Sequence, residues 1–110
     1  MAFNLFSSRK KRPPVSSPPL IVVIDDEEDI RRLLSLSLER RGYRVAAASD
    51  GESGLALIRE NVPALILLDM MMPVMNGFQM LAKMQKDAGL ATIPVVVLSS
   101  IDADKSKTEA

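Results

Sequence analysis

From Leu20 onward, short continuous apolar runs alternate with longer stretches in which apolar residues recur every three or four positions. The run Leu20 to Ile24 is unbroken and rich in β-branched side chains, which predicts a strand buried on both faces. Glu27 to Arg41 has helical spacing: Ile30, Leu33, Leu34 and Leu38 share one stripe, acids crowd the first turn, and Arg40 and Arg41 close the last. Gly42 stands where a helix cap belongs. Tyr43 to Ala48 predicts a second strand, and Glu52 to Glu60 a second helix with Leu55 and Ile58 turned inward. Ala64 to Leu68, behind Pro63, is a third strand of the buried kind. Asn76 to Lys86 predicts a third helix with Phe78, Leu81 and Ala82 on its inner face, and Pro94 to Leu98 a fourth buried strand.

The order is therefore βαβαβαβ, which implies an α/β fold with a parallel sheet, right-handed crossovers and helices on both faces. In such sheets ligands bind beyond the carboxyl ends of the strands, where the strand order reverses. Residues 1–19 form a separate region. Arg9, Lys10, Lys11 and Arg12 are followed by Pro13, Pro14, Ser16, Ser17, Pro18 and Pro19, a composition that builds no core and predicts a disordered tail ahead of a domain at 20–110. Phe3, Leu5 and Phe6 beside this basic cluster suit weak contact with an anionic surface, against the plainer reading of a solvated tail.

Charge changes the picture once the tail is set apart. The chain carries 14 basic and 14 acidic residues; four of the basic ones lie in the tail, leaving ten against fourteen in the domain. A domain with a net charge of about −4 is a poor direct ligand for nucleic acid. Cysteine and histidine are both absent, which excludes disulfides, thiolate chemistry, zinc centres of the usual type and any nucleophile activated by histidine. The longest apolar runs are about five residues, far short of the ~20 that a membrane span needs. Met1 to Leu5 does not read as a signal peptide, so a cytoplasmic setting is expected.

Carboxylates and hydroxyls remain for chemistry, and they gather at the predicted strand ends. The first strand runs into Asp25 and Asp26, the third into Asp69, and the fourth into Ser99 and Ser100. Acids clustered in this way repel one another unless a hard cation is present; Mg²⁺, an octahedral ion that prefers oxygen ligands, suits them. With such a metal, one carboxylate becomes a plausible nucleophile toward phosphorus. Each piece has a plainer reading by itself: acids that complement a helix dipole, a turn aspartate, and strand-end hydroxyls. Their joint placement on one edge of one sheet is what those readings do not anticipate.

The segments Ile24-Asp25-Asp26-Glu27, Leu68-Asp69-Met70-Met71-Met72-Pro73-Val74-Met75-Asn76-Gly77 and Pro94-Val95-Val96-Val97-Leu98-Ser99-Ser100 resemble the receiver domains of two-component response regulators in order and spacing. The resemblance implies a flavodoxin-like doubly wound sheet with strand order 2-1-3-4. It implies Asp69 as phosphoacceptor, Asp26 as a direct Mg²⁺ ligand, Asp25 as a ligand through water or an orienting acid, and the Met71 backbone carbonyl as a further ligand. Ser99 matches the hydroxyl that bonds the phosphoryl oxygen and switches position, while Pro73 and Gly77 shape the loop. The implied partner is a sensor histidine kinase or histidine phosphotransfer protein, and the implied role is signalling rather than enzymatic turnover. Met71 and Ile101 stand where relatives often carry polar residues that orient water, which implies a long-lived phosphoryl group.

The family pattern continues through two more helices and a fifth strand ending in a lysine, and no position of this chain matches that lysine. On that reading the fifth strand and last two helices are missing, so the fourth strand is an open edge and the chain is expected to be marginally stable and prone to self-association. The competing reading is a receiver-like interaction module that binds a kinase or phosphotransfer partner without being phosphorylated. A phosphohydrolase is disfavoured because Met71, two residues after Asp69, is no general acid.

Overall fold

The computed structural model describes residues 18–98. Strands β1 (Leu20–Ile24), β2 (Arg44–Ala48), β3 (Leu65–Leu68) and β4 (Val95–Val97) alternate with helices α1 (Glu28–Arg40), α2 (Gly51–Glu60) and α3 (Gly77–Gln85). All strand pairs are parallel, as the alternating elements predict, and the sheet order is β2-β1-β3-β4, as the family resemblance implies. The basic tail up to Ser17, together with Ser99, Ser100 and Ile101, lies outside the described residues.

Local chemistry sets the element ends. α1 stops in a Schellman arrangement: Gly42 N–H donates to Glu39 O at 3.0 Å and Tyr43 N–H to Leu38 O at 3.2 Å. Gly42 sits at φ +96°, a conformation open to glycine because it has no Cβ. α2 begins on Asp50, whose carboxylate accepts from Ser53 N at 2.8 Å. α3 begins with a reciprocal capping box, Gln79 N to Asn76 Oδ1 and Asn76 N to Gln79 Oε1, both at 2.9 Å.

The register aligns Val22 with Ile66 and Ile24 with Leu68, so these four side chains share one sheet face. Leu55 and Ile58 of α2 and Met80 and Met84 of α3 close over that face, joined by Leu90 and Ile93. Ile21 and Val23 point to the other face, where α1 lies against β1 and β2. Because the chain steps from β1 to β2 and then crosses β1 to reach β3, right-handed crossovers put α1 and α2 on opposite faces.

Three expectations about side-chain facing are corrected. No residue of α1 is fully buried, and Leu33 is 61% exposed. Ile30, Leu34 and Leu38 form the half-buried stripe, and Leu33 lies about 100° around the helix from its centre. In α3 the inner face is Gly77, Met80 and Met84 with Leu81 half-buried, whereas Phe78 is 65% exposed and Ala82 is exposed. The helix is turned by roughly one residue because Gly77 must face the backbone of Met70. β4 departs from the buried strand its apolar run alone predicts and agrees with the open edge expected from the family pattern: among the described residues it ends the sheet, Val95 packs against the core, and Val96 and Val97 are exposed.

Ile58 is wholly buried between α2 and the sheet, so Ile58→Ala is expected to destabilise the chain by about 2–5 kcal/mol in urea unfolding. Leu33→Ala is expected to change stability by less than about 0.5 kcal/mol. Equal costs would show that α1 buries Leu33 after all.

Candidate functional site

β1 and β3 are neighbours, but β1 connects onward to β2 and β3 to β4, so the strand order reverses between them. Asp25 follows β1 and Asp69 follows β3, one step past the paired Ile24 and Leu68. The ladder continues through both: Asp69 N–H donates to Ile24 O at 2.9 Å, and Asp25 N–H to Ala48 O at 3.2 Å. Two aspartates are thus set side by side by main-chain bonds, and both are 0% exposed.

Each buried carboxylate is oriented by the turn that follows it. Asp25 Oδ1 accepts from Glu27 N at 2.8 Å, and Asp69 Oδ1 accepts from Met71 N at 2.9 Å. These are Asx turns, in which the side chain stands in for a backbone acceptor and its plane is fixed. Asp26 is exposed and opens the cluster toward solvent. One carboxylate oxygen from each of Asp25, Asp26 and Asp69 lies within 4.8 Å of the others.

The loop from Asp69 to Gly77 is tied down from beneath. Met70 and Met72 are buried while Met71, between them, is 61% exposed, the alternation of an extended segment. Gly77 N–H donates to Met70 O at 3.2 Å, and a Cβ on Gly77 would stand 2.7 Å from Met70 Cα and 2.9 Å from Asp69 O. Only glycine permits that approach. Met75 N–H reaches back to Pro73 O at 2.7 Å around Val74, whose φ is 69°. This is a γ-turn of the strained kind, on a β-branched residue that is 84% exposed.

The donor set fits a small, hard divalent cation: three carboxylates offer oxygen alone, and two of them are withdrawn from water. A cation there would offset the mutual repulsion of the acids. Of the expected site residues, the fold brings Asp25, Asp26 and Asp69 together, and Met71 enters through its N–H. Ser99 and Ser100 lie outside the described residues, although Leu98 N–H donates to Leu68 O at 2.9 Å and carries the chain to the edge beside Asp69. Two contributors escaped the sequence reading. Val74 gave no turn signal, and Arg31, whose Nη1 donates to Asp25 O at 2.8 Å, gave no signal either.

The family described as the response regulator receiver domain matches residues 21–110. The chain belongs to that family. It is 38% identical over 74 residues to the protein PilH of Pseudomonas aeruginosa, covering 67% of this chain and 61% of PilH. It is 43% identical over 75 residues to the transcriptional regulatory protein AfsQ1 of Streptomyces coelicolor, covering 68% of this chain and 32% of AfsQ1. Among solved structures, the N-terminal domain of a response regulator receiver protein from Methanoculleus marisnigri superposes with a TM-score of 0.71 at 37% identity, covering 74% of this chain and 66% of that one. The chemotaxis protein CheY4 of Vibrio cholerae gives a TM-score of 0.70 at 28% identity, over 74% and 68% respectively. The match therefore spans less than two thirds of these two curated relatives. The receiver domain and its doubly wound sheet, expected from the three motifs, are both shown.

Two results are expected from this geometry. Val74→Gly removes the strain at a positive φ and is expected to raise stability by about 1 kcal/mol or more in urea unfolding; a loss would mean that the valine is held by contacts stronger than its strain. Asp26→Asn is expected to weaken Mg²⁺ binding, read by isothermal titration, while leaving the fold intact because Asp26 is exposed. Unchanged affinity would remove Asp26 from the cation site.

Proposed function

We propose that this receiver domain accepts a phosphoryl group on Asp69 from the phosphohistidine of a sensor histidine kinase or histidine phosphotransfer protein, with Mg²⁺ as cofactor. The supporting observation is the meeting of the Asp25, Asp26 and Asp69 carboxylates at the point where the strand order reverses. Asp25, Asp26, Asp69 and the Met71 carbonyl are the proposed metal ligands. When bound, Mg²⁺ supplies positive charge that offsets the charge developing on the transferred phosphoryl oxygens.

The remaining work falls to the chain itself. A carboxylate oxygen of Asp69 forms the new bond to phosphorus as the bond from phosphorus to the donor's imidazole nitrogen breaks. That nitrogen keeps the electron pair and takes up a proton, and the product is an acyl phosphate. The Met71 N–H bond to Asp69 Oδ1 holds the carboxylate in one orientation, so little reorganisation is needed at the moment of attack. The Ser99 hydroxyl donates to a phosphoryl oxygen once it arrives. We place this chemistry in the cytoplasm; among the described residues no helix is long and apolar enough to cross a membrane. The exposed Val96 and Val97 on β4 support self-association through that edge.

Treatment of the full chain with acetyl phosphate and Mg²⁺ is expected to add one phosphoryl group by intact mass, and Asp69→Asn is expected to abolish the adduct. A folded chain that binds Mg²⁺ and takes no adduct would instead support an interaction module that is not phosphorylated. With an apolar side chain at Met71, exposed beside the site, the adduct is expected to persist for many minutes after the donor is removed. Decay within seconds would contradict this reading of Met71 and Ile101.

A further inference from the structure

We propose that Arg31 is a positioning residue for the cation site, holding the main chain of Asp25 so that the carboxylates of Asp25 and Asp26 converge on Asp69. The inference rests on the cation reading of the acid cluster. Asp25 is gripped at three points: its N–H donates to Ala48 O at 3.2 Å, its Oδ1 accepts from Glu27 N at 2.8 Å, and its carbonyl accepts from Arg31 Nη1 at 2.8 Å. The first two grips come from the neighbouring strand and the next turn. The third comes from a side chain six residues along, anchored in α1, and it ties the loop between β1 and α1 to a rigid element.

The location of Arg31 argues that the tether is its role. It is the fourth residue of α1, near the helix end that carries positive partial charge, where a cation is unfavourable to the helix itself. It also has somewhere else to go. Its side chain lines an open cleft of about 540 Å³ bounded by Ala47, Ser49, Ser53 and Leu57, yet the guanidinium is turned to the Asp25 carbonyl in a half-buried bond. Its neighbour Arg32 behaves differently, forming a solvent-exposed pair with Glu28 at 3.3 Å.

Charge and position pull in opposite directions here, which gives the test a sign. By charge alone, a guanidinium near the acids repels a divalent cation, so removing it would tighten binding. By position, removing it frees the loop and weakens binding. Isothermal titration of the full chain with Mg²⁺, repeated with Mn²⁺ and run below each variant's melting midpoint, separates the two. Arg31→Met is expected to weaken affinity roughly tenfold or more, the usual scale for groups that orient metal ligands. Arg31→Lys, which keeps a donor long enough to reach the carbonyl, is expected to restore most of it. Arg32→Met, which removes the same charge without touching Asp25, is expected to leave affinity unchanged or slightly higher. If Arg31→Met does not fold, Arg31→Gln and Arg31→Lys carry the comparison, with lysine expected to bind the cation more tightly than glutamine. Wild-type protein that binds no cation would overturn the site reading and this inference together. Wild-type binding with Arg31→Met unchanged or tighter, or with glutamine equal to lysine, would overturn the inference alone.

Discussion

Two buried aspartates on adjacent parallel strands set the terms for the rest of this structure. Asp25 and Asp69 are both 0% exposed, and their carboxylates, with that of Asp26, fall within 4.8 Å of one another. Like charges at that range in a medium of lower dielectric than water oppose folding unless something compensates. The main chain supplies part of the compensation through the Glu27 and Met71 N–H groups, and the side chain of Arg31 brings positive charge to the same loop. A divalent cation bound by the three carboxylates, as proposed above, would add to that compensation.

The fold explains why the acids meet at this end. A sheet ordered β2-β1-β3-β4 has its connections diverging at β1 and β3, which opens a crevice above the carboxyl ends of those two strands. The core beneath is apolar and dense around Ile24, Ile58, Ile66, Leu68, Met80 and Met84, so the strand ends are held rigidly. The loop after Asp69 is then pinned by buried Met70 and Met72 and by the close approach of Gly77 to Asp69 O. Rigid strands and a pinned loop hold Asp69 in place.

Much of this was legible in the sequence, for a physical reason. Parallel strands buried in an α/β sheet need continuous apolar runs, and the runs at Leu20 and Ala64 end abruptly in aspartate, so strand positions and acid positions were visible together. The capped end at Gly42 was visible for the same reason, since it requires a particular residue type. Helix facing was less legible. The phase of α3 depends on Gly77 packing against Met70, a contact between segments that periodicity alone does not encode, and so Phe78 was placed inside when Met80 and Met84 fill the core. The apolar triplet of β4 reads the same whether it lies at the centre or the edge of a sheet, so the expected open edge came from the family pattern and not from periodicity. Arg31 was invisible because a hydrogen bond to a carbonyl six residues back leaves no pattern in composition or period.

In the function proposed above, the carboxylates of Asp25, Asp26 and Asp69 oppose folding by themselves and are reconciled by a divalent cation. Urea unfolding of wild-type chain and Asp69→Asn, each with and without Mg²⁺, tests this most directly, because asparagine keeps the Oδ1 acceptor for Met71 N–H while it removes the charge and exchanges the second oxygen for an amide NH2. Without Mg²⁺ the asparagine variant should be the more stable of the two; with saturating Mg²⁺ the wild-type protein should gain more and close or reverse the gap. If Asp69→Asn is less stable in both conditions, or if Mg²⁺ stabilises both proteins equally, the acid cluster is not a cation site held under electrostatic tension.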